Sequence, residues 1–213
     1  MSSSKHPTVL RHGAILRHGA AAAVVAFVAV ACGGGEEAAS PAPTIAGEAS
    51  EVLVTPSTDL SANHVEPPVS FASSPSVGGD HYPFWMNCGF YSVEVIEGAA
   101  THSLEHGAVW ITYGDSLPDS EIAELEALAA SNPRLLISPY DHDDPIVLSA
   151  WGAQQRNVQS ATAPEVATFI TEWQDNAELI EAGALCSSAA GTPPDIVNTL
   201  ADGTAIPDEF LNS

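Results

Sequence analysis

The segment His102-Ser103-Leu104-Glu105-His106-Gly107, running straight into Ala108-Val109-Trp110-Ile111-Thr112-Tyr113, constrains this chain more than any other stretch. Two histidines four residues apart share a face in either regular conformation, with different consequences. On one helical turn their Cβ atoms lie about 5–6 Å apart, close enough for both rings to grip one ion. In a strand they lie about 13 Å apart, at roughly 3.3 Å per residue, too far for one ion. Gly107 decides for the turn. A glycine just past a short helix is the usual left-handed cap, and the apolar, β-branched run behind it reads as a buried strand.

The pattern downstream alternates. Asp119 to Ser131 reads as a helix that Asp119 or Ser120 can cap, with Ile122, Leu125 and Leu128 as its apolar stripe. Asn132-Pro133 stops it. Leu135 to Ser138 and Ile146 to Trp151 read as strands on either side of an acidic loop, residues 139–145. Thr162-Ala163-Pro164-Glu165 has the form of a capping box, and the helix it opens carries Val166, Phe169, Ile170 and Trp173 on one face. Strand, helix, strand, strand, helix predicts a single α+β domain: a small mixed sheet with two or three helices packed on it. No internal repeat interrupts it. The domain is expected over 64–186, with a disordered Gly-, Ser-, Pro- and Ala-rich tether over 32–63 and a loosely structured tail over 187–213.

Residues 1–31 read as a leader. Lys5, Arg11 and Arg17 precede an apolar run from Gly19 to Ala31, and small residues lead up to Cys32. A cysteine at that boundary reads as a lipoprotein attachment site, with a plain secreted protein as the alternative. Without the leader, Arg134 and Arg156 stand against all 27 acidic residues, so the formal charge falls to −25. That balance leaves no basic footprint for nucleic acid. Anionic membrane surfaces repel it too, so the expected membrane partner is reached through lipid on Cys32, with any envelope protein partner unnamed. The expected location is the extracytoplasmic face of a bacterial cell envelope. With Cys32 set aside, Cys88 and Cys186 remain, and an even pair in an exported domain is expected to form a disulfide. The alternative is Cys88 as a thiolate metal ligand.

The run HSLEHGAVWITY is preceded by Gly79-Asp80-His81-Tyr82-Pro83-Phe84-Trp85 and Asn87-Cys88-Gly89-Phe90-Tyr91. It is followed in order by Leu136-Ile137-Ser138-Pro139-Tyr140, Ser149-Ala150-Trp151-Gly152 and Gly183-Ala184-Leu185-Cys186. Together these resemble an uncharacterised family of bacterial exported proteins, the domain-of-unknown-function group 3105, over roughly His64 to Cys186. Two departures stand out. The family's Pro-Pro-Thr-Ser-Gly is replaced here by Ser74-Pro75-Ser76-Val77-Gly78-Gly79, and its proline-rich turn before the closing cysteine by Ala177 to Ala182. The resemblance implies an exported or lipid-anchored domain and carries no established activity.

Function therefore rests on the residues. Beyond the leader the histidines are His64, His81, His102, His106 and His142. Several imidazoles in an exported protein suit zinc or copper, and a nearby thioether favours copper. The expected ligands are His81, His102 and His106, with His64 or Met86 as the fourth. Glu105 is expected to act from behind, holding one imidazole by its ring N–H. This predicts a non-catalytic metal-binding protein, copper ahead of zinc, in storage, delivery or sensing. One rival is a zinc hydrolase, since His102-x-x-Glu105-His106 also has the inverted zinc-peptidase spacing, with Glu165 or Glu172 as candidate further ligands. Another is a structural or partner-binding envelope module whose histidines only brace the core. The loop Asp141-His142-Asp143-Asp144 lacks the ligand spacing and central glycine of a calcium loop. The chain has no CxxC, no phosphate-cradling glycine loop and no Gly-x-Ser-x-Gly elbow.

Overall fold

Two buried strands set the frame. The computed structural model describes residues 51–56, 59–191 and 193–194. The leader 1–31, Cys32, most of the tether and the tail beyond 194 lie outside the described residues. Strand β3 (Val109–Tyr113), buried at all five positions, pairs in parallel with β4 (Leu135–Pro139). A parallel pair needs a long crossover, and α2 (Asp119–Ser131) supplies it. On its other edge β3 pairs antiparallel with β5 (Ile146–Ala150), which turns through Trp151-Gly152 into β6 (Ala153–Val158). Two short strands complete the sheet: β1 (Leu53–Val54) on β6, and β2 (Gly89–Phe90) in parallel on β4. The order is β1-β6-β5-β3-β4-β2, a six-stranded mixed sheet. With α1 (Glu97–Glu105) and α3 (Pro164–Trp173) the described residues form an α+β fold with three helices. Among them no helix is long and apolar enough to cross a membrane.

Alternation along the strands builds a core on each face. Val109, Ile111 and Tyr113 point with Leu135 and Ile137 to one side, where Leu125 of α2 and Val166 and Phe169 of α3 cover them. Trp110 and Leu136 point to the other, against Ala99, Ala100 and Leu104 of α1. Helix α1 is buried from Gly98 through Glu105, so it has no solvent face. Small residues make this possible: a Cβ on Gly98 would come within 2.7 Å of the Tyr82 ring, which stacks on Phe84.

Several expectations change here. The N-caps are Pro118 for α2 and Ala163 for α3, neither with a side-chain bond to the helix. Asp119 lies inside the first turn, and the Thr162 hydroxyl sits 3.1 Å from that of Ser160 instead of closing a capping box. Proline at the start of α3 has no N–H and so leaves one fewer unpaired donor at that end of the helix. Within the expected tether, residues 53–54 form β1, and Thr55 N–H donates to Gly152 O at 2.7 Å. The tail's first residues are also held, with Ala190 N–H on Trp85 O and Asn87 N–H on Ala190 O, both 2.9 Å.

The disulfide between Cys88 and Cys186 exists, with Cα atoms 5.3 Å apart across a sequence separation of 98. It pins the chain after α3 against the segment before β2. In the double variant Cys88→Ser/Cys186→Ser, unfolding free energy is expected to fall by about 2–5 kcal/mol, read from urea titrations. Gly98→Ala is expected to cost about 1–3 kcal/mol in the same measurement, because the Tyr82 ring is backed by Phe84 and has nowhere to go.

Candidate metal centre

Helix α1 ends in a Schellman motif. Gly107, at φ 95°, donates to Leu104 O at 2.9 Å, and Ala108 N–H donates to Ser103 O at 3.0 Å. The chain thus leaves His106 and enters β3 at once. His102 and Glu105 project from the last turn, and His106 from the cap. A second strand-like contact delivers two more rings. His64 and His81 form a parallel bridge, with Val65 N–H on His81 O at 2.7 Å and His81 N–H on Asn63 O at 3.0 Å. The His102 ring lies at the middle of the group, 4.6 Å from His64, 4.8 Å from His81 and 4.6 Å from His106 between centroids.

Each of the three buried imidazoles has its Nδ1 on a main-chain carbonyl: His81 on Gly79 O at 2.8 Å, His102 on Tyr82 O at 2.8 Å, His106 on Leu185 O at 2.7 Å. A carbonyl has no proton to give, so Nδ1 must be the donor, and a neutral ring then carries its lone pair on Nε2. Burial pushes the His102 pKa down to about 3, and the His106, His81 and His64 rings add to the shift against the pull of the Tyr82 carbonyl. His102 is therefore neutral at physiological pH.

The Nε2 atoms converge on two carboxylates. Glu105 Oε2 lies 3.1 Å from His81 Nε2 and 3.9 Å from His64 Nε2. Glu181 Oε2 lies 2.9 Å from His106 Nε2 and 3.6 Å from His102 Nε2. Two ligand groups result: His64, His81, His102 and Glu105, and His102, His106 and Glu181, each with its donor atoms within 4.8 Å of one another. Four donors at about 2.1 Å from a tetrahedral ion stand roughly 3.4 Å apart, so only a small closure separates these groups from a coordination shell. His81 Nε2 is buried with no hydrogen-bond partner, which is costly for a polar atom unless something fills that direction. Trp151 stands edge-on to His81 at 5.7 Å and Trp85 covers His106 at 4.8 Å, walling the rings from solvent.

The structure brings His64, His81, His102 and His106 together. Met86 is fully buried in the core, its methyl against Gly191 and beside Tyr91, and the groups that join the imidazoles are the Glu105 and Glu181 carboxylates. Glu105 does not hold a ring from behind. Backbone carbonyls take that place, and Glu105 faces the same nitrogens that an ion would. Cys88 is committed to its disulfide and is no thiolate ligand. His142 stays in its loop, its Nε2 at 2.9 Å from Thr112 Oγ1. Glu181 was not foreseen, because nothing in the composition of residues 176–184 separates it from the other acids. The one usable signal was Cys186, five residues on, whose disulfide pins that stretch beside α1. Arg134 was also missed. Its guanidinium donates to His106 O, Asp175 Oδ1 and Ala184 O, tying the end of α1 to the segment that carries Glu181.

No curated protein and no solved structure matches the chain. A family profile described as "Protein of unknown function (DUF3105)" matches residues 63–188, more than half of the 213. That span holds every histidine and both carboxylates of the centre together with the disulfide, and by it the chain belongs to the DUF3105 family of proteins of unknown function.

Proposed function

We propose that this protein binds one divalent first-row transition-metal ion through the histidine–glutamate centre, without turnover, as an extracytoplasmic protein anchored by lipid on Cys32. The observation that carries the reading is the set of imidazoles locked by main-chain carbonyls so that their Nε2 lone pairs face a carboxylate, one of them buried without a hydrogen-bond partner. Locked tautomers are what metal-ligating histidines display, since the second nitrogen orients the ring and raises its basicity. Imidazole with carboxylate suits zinc and copper(II). The case for copper(I) rested on Met86, which lies in the core. The disulfide and the leader support the extracytoplasmic placement. Storage, delivery and sensing all fit a centre that holds an ion without turnover.

A second reading has one observation behind it. Glu181 supplies the downstream carboxylate that a zinc-hydrolase reading of His102-x-x-Glu105-His106 requires, and two imidazoles with a carboxylate are a known catalytic zinc set. It ranks second because Glu105 already lies against His81 and His64 and is not free to act as a base. Peptide or ester turnover abolished by Glu105→Gln would put it first.

The test is metal content per chain of the untagged protein, followed by competition titration with a chromophoric chelator for Zn(II) and Cu(II). His102→Ala is expected to weaken binding by more than the roughly 10- to 100-fold that loss of a supporting partner costs. Met86→Leu is expected to leave affinity for both ions within about twofold of wild type, because the swap conserves volume and the Met86 methyl packs against Gly191 in the core. A wild-type protein that takes up neither ion at micromolar concentration defeats both metal readings and leaves a structural or partner-binding module.

A further inference from the structure

Resting on the metal-binding reading, the geometry points to two alternative seats for a single ion, sharing His102, so that the centre passes the ion from one seat to the other. The first seat is His64, His81, His102 and Glu105; the second is His102, His106 and Glu181. His102 belongs to both, yet its Nδ1–H is spent on Tyr82 O and its Nε2 has one lone pair. One nitrogen lone pair binds one ion, so the seats cannot both be complete at the same time.

Each seat has one outward member. The His64 side chain is 42% exposed and that of Glu181 39%, whereas those of His81, His102, Glu105 and His106 are 3% or less. Both outward groups lie close to the buried ring of His102, whose centroid is 4.6 Å from that of His64 and whose Nε2 is 3.6 Å from Glu181 Oε2. An ion can therefore be captured through one outward group and released through the other while His102 stays bound throughout. Ligands change one at a time, and the ion never becomes bare in the interior, where an unpaired charge is expensive.

The seats also differ in kind. The first offers four donors, which closes a tetrahedral shell as in structural zinc sites. The second offers three, leaving a position open to an incoming ligand, as in exchangeable sites. This gives the transfer a direction: retention among His64, His81, His102 and Glu105, and release to an external chelating acceptor at Glu181.

Co(II) and Zn(II) are the probes, with Co(II) chosen because its visible absorption reports coordination number. The wild-type protein is expected to saturate at one Co(II) per chain. Glu181→Ala closes the second seat and His81→Ala the first. Each variant is expected to keep one Co(II), with a four-coordinate spectrum in the former and a higher-coordinate, weaker spectrum in the latter. Glu181→Ala is expected to slow loss of Zn(II) to excess EDTA, because the open seat through which an acceptor reaches the ion is gone, whereas loss of a purely structural carboxylate would not slow it. His102→Ala is expected to lose both spectra, with circular dichroism confirming that each variant is folded. Two ions per wild-type chain, an unchanged release rate in Glu181→Ala, or no binding in a folded His81→Ala would each overturn the two-seat arrangement while leaving metal binding itself intact. A wild type that binds neither Co(II) nor Zn(II) would instead remove the reading beneath it.

Discussion

The burial of α1 on every side is the constraint from which the rest follows. A helix without a solvent face must find a partner inside the protein for each polar side chain it carries, because an unpaired polar group in the interior costs kilocalories. Each partner then fixes a loop. Thr101 meets Ser76 at 2.6 Å, Ser103 holds both Met86 N–H and Met86 O, and Glu97 receives Ser76 N–H and the Tyr140 hydroxyl. Burial raises the Glu97 pKa against those bonds. His102 on Tyr82 O belongs to the same series. The segment over residues 74–86 is thus shaped by the polar demands of α1, and the same demands bring His81 to His102.

Electrostatics sharpen the picture. The chain has 27 acidic residues, and Arg134 and Arg156 are both used as ties among the described residues. Arg156 donates to Asp144 and to Ser74 O, while Arg134 gathers the C-terminal end of α1, where the helix dipole favours a cation, and the chain after α3. The chain as a whole stays strongly acidic, with a formal net charge of −22, a balance that attracts cations and repels anions.

The parts that were legible in the sequence are those where local pattern and tertiary fate agree. Val109 to Tyr113 is buried on both faces and reads so, and Asp119 to Ser131 carries its stripe in the helical period. Gly107 announced the end of α1 because only a left-handed residue closes that turn. The rest failed for physical reasons. Helix α1 begins at Glu97 without an amphipathic stripe, since all its sides are buried. Strand β6 hides behind Gln154 and Gln155, polar residues kept inside by bonds such as Gln154 to Pro75 O at 2.8 Å. Strands β1 and β2 are two residues each and exist only because the sheet edge receives them. In the centre, the histidine spacing exposed the pair on α1, but Glu181 and the three orienting carbonyls come from contacts that no local pattern encodes.

Chain order divides the centre unevenly. His64, His81, His102 and Glu105, with the Gly79 and Tyr82 carbonyls, all lie within one continuous stretch, whereas Glu181 and Leu185 come from the far end of the domain, held by Cys186 and Arg134. Proteins open in cooperative units, and segments near the end of a domain are usually the first to open. The half of the centre built by that last segment is therefore exposed to local opening that the other half does not share. By linkage, an ion held at Glu181 acts as a second fastening for that segment beside the covalent one. Protection of the amides over 176–186 against hydrogen exchange thus becomes a readout of where in the centre the ion sits.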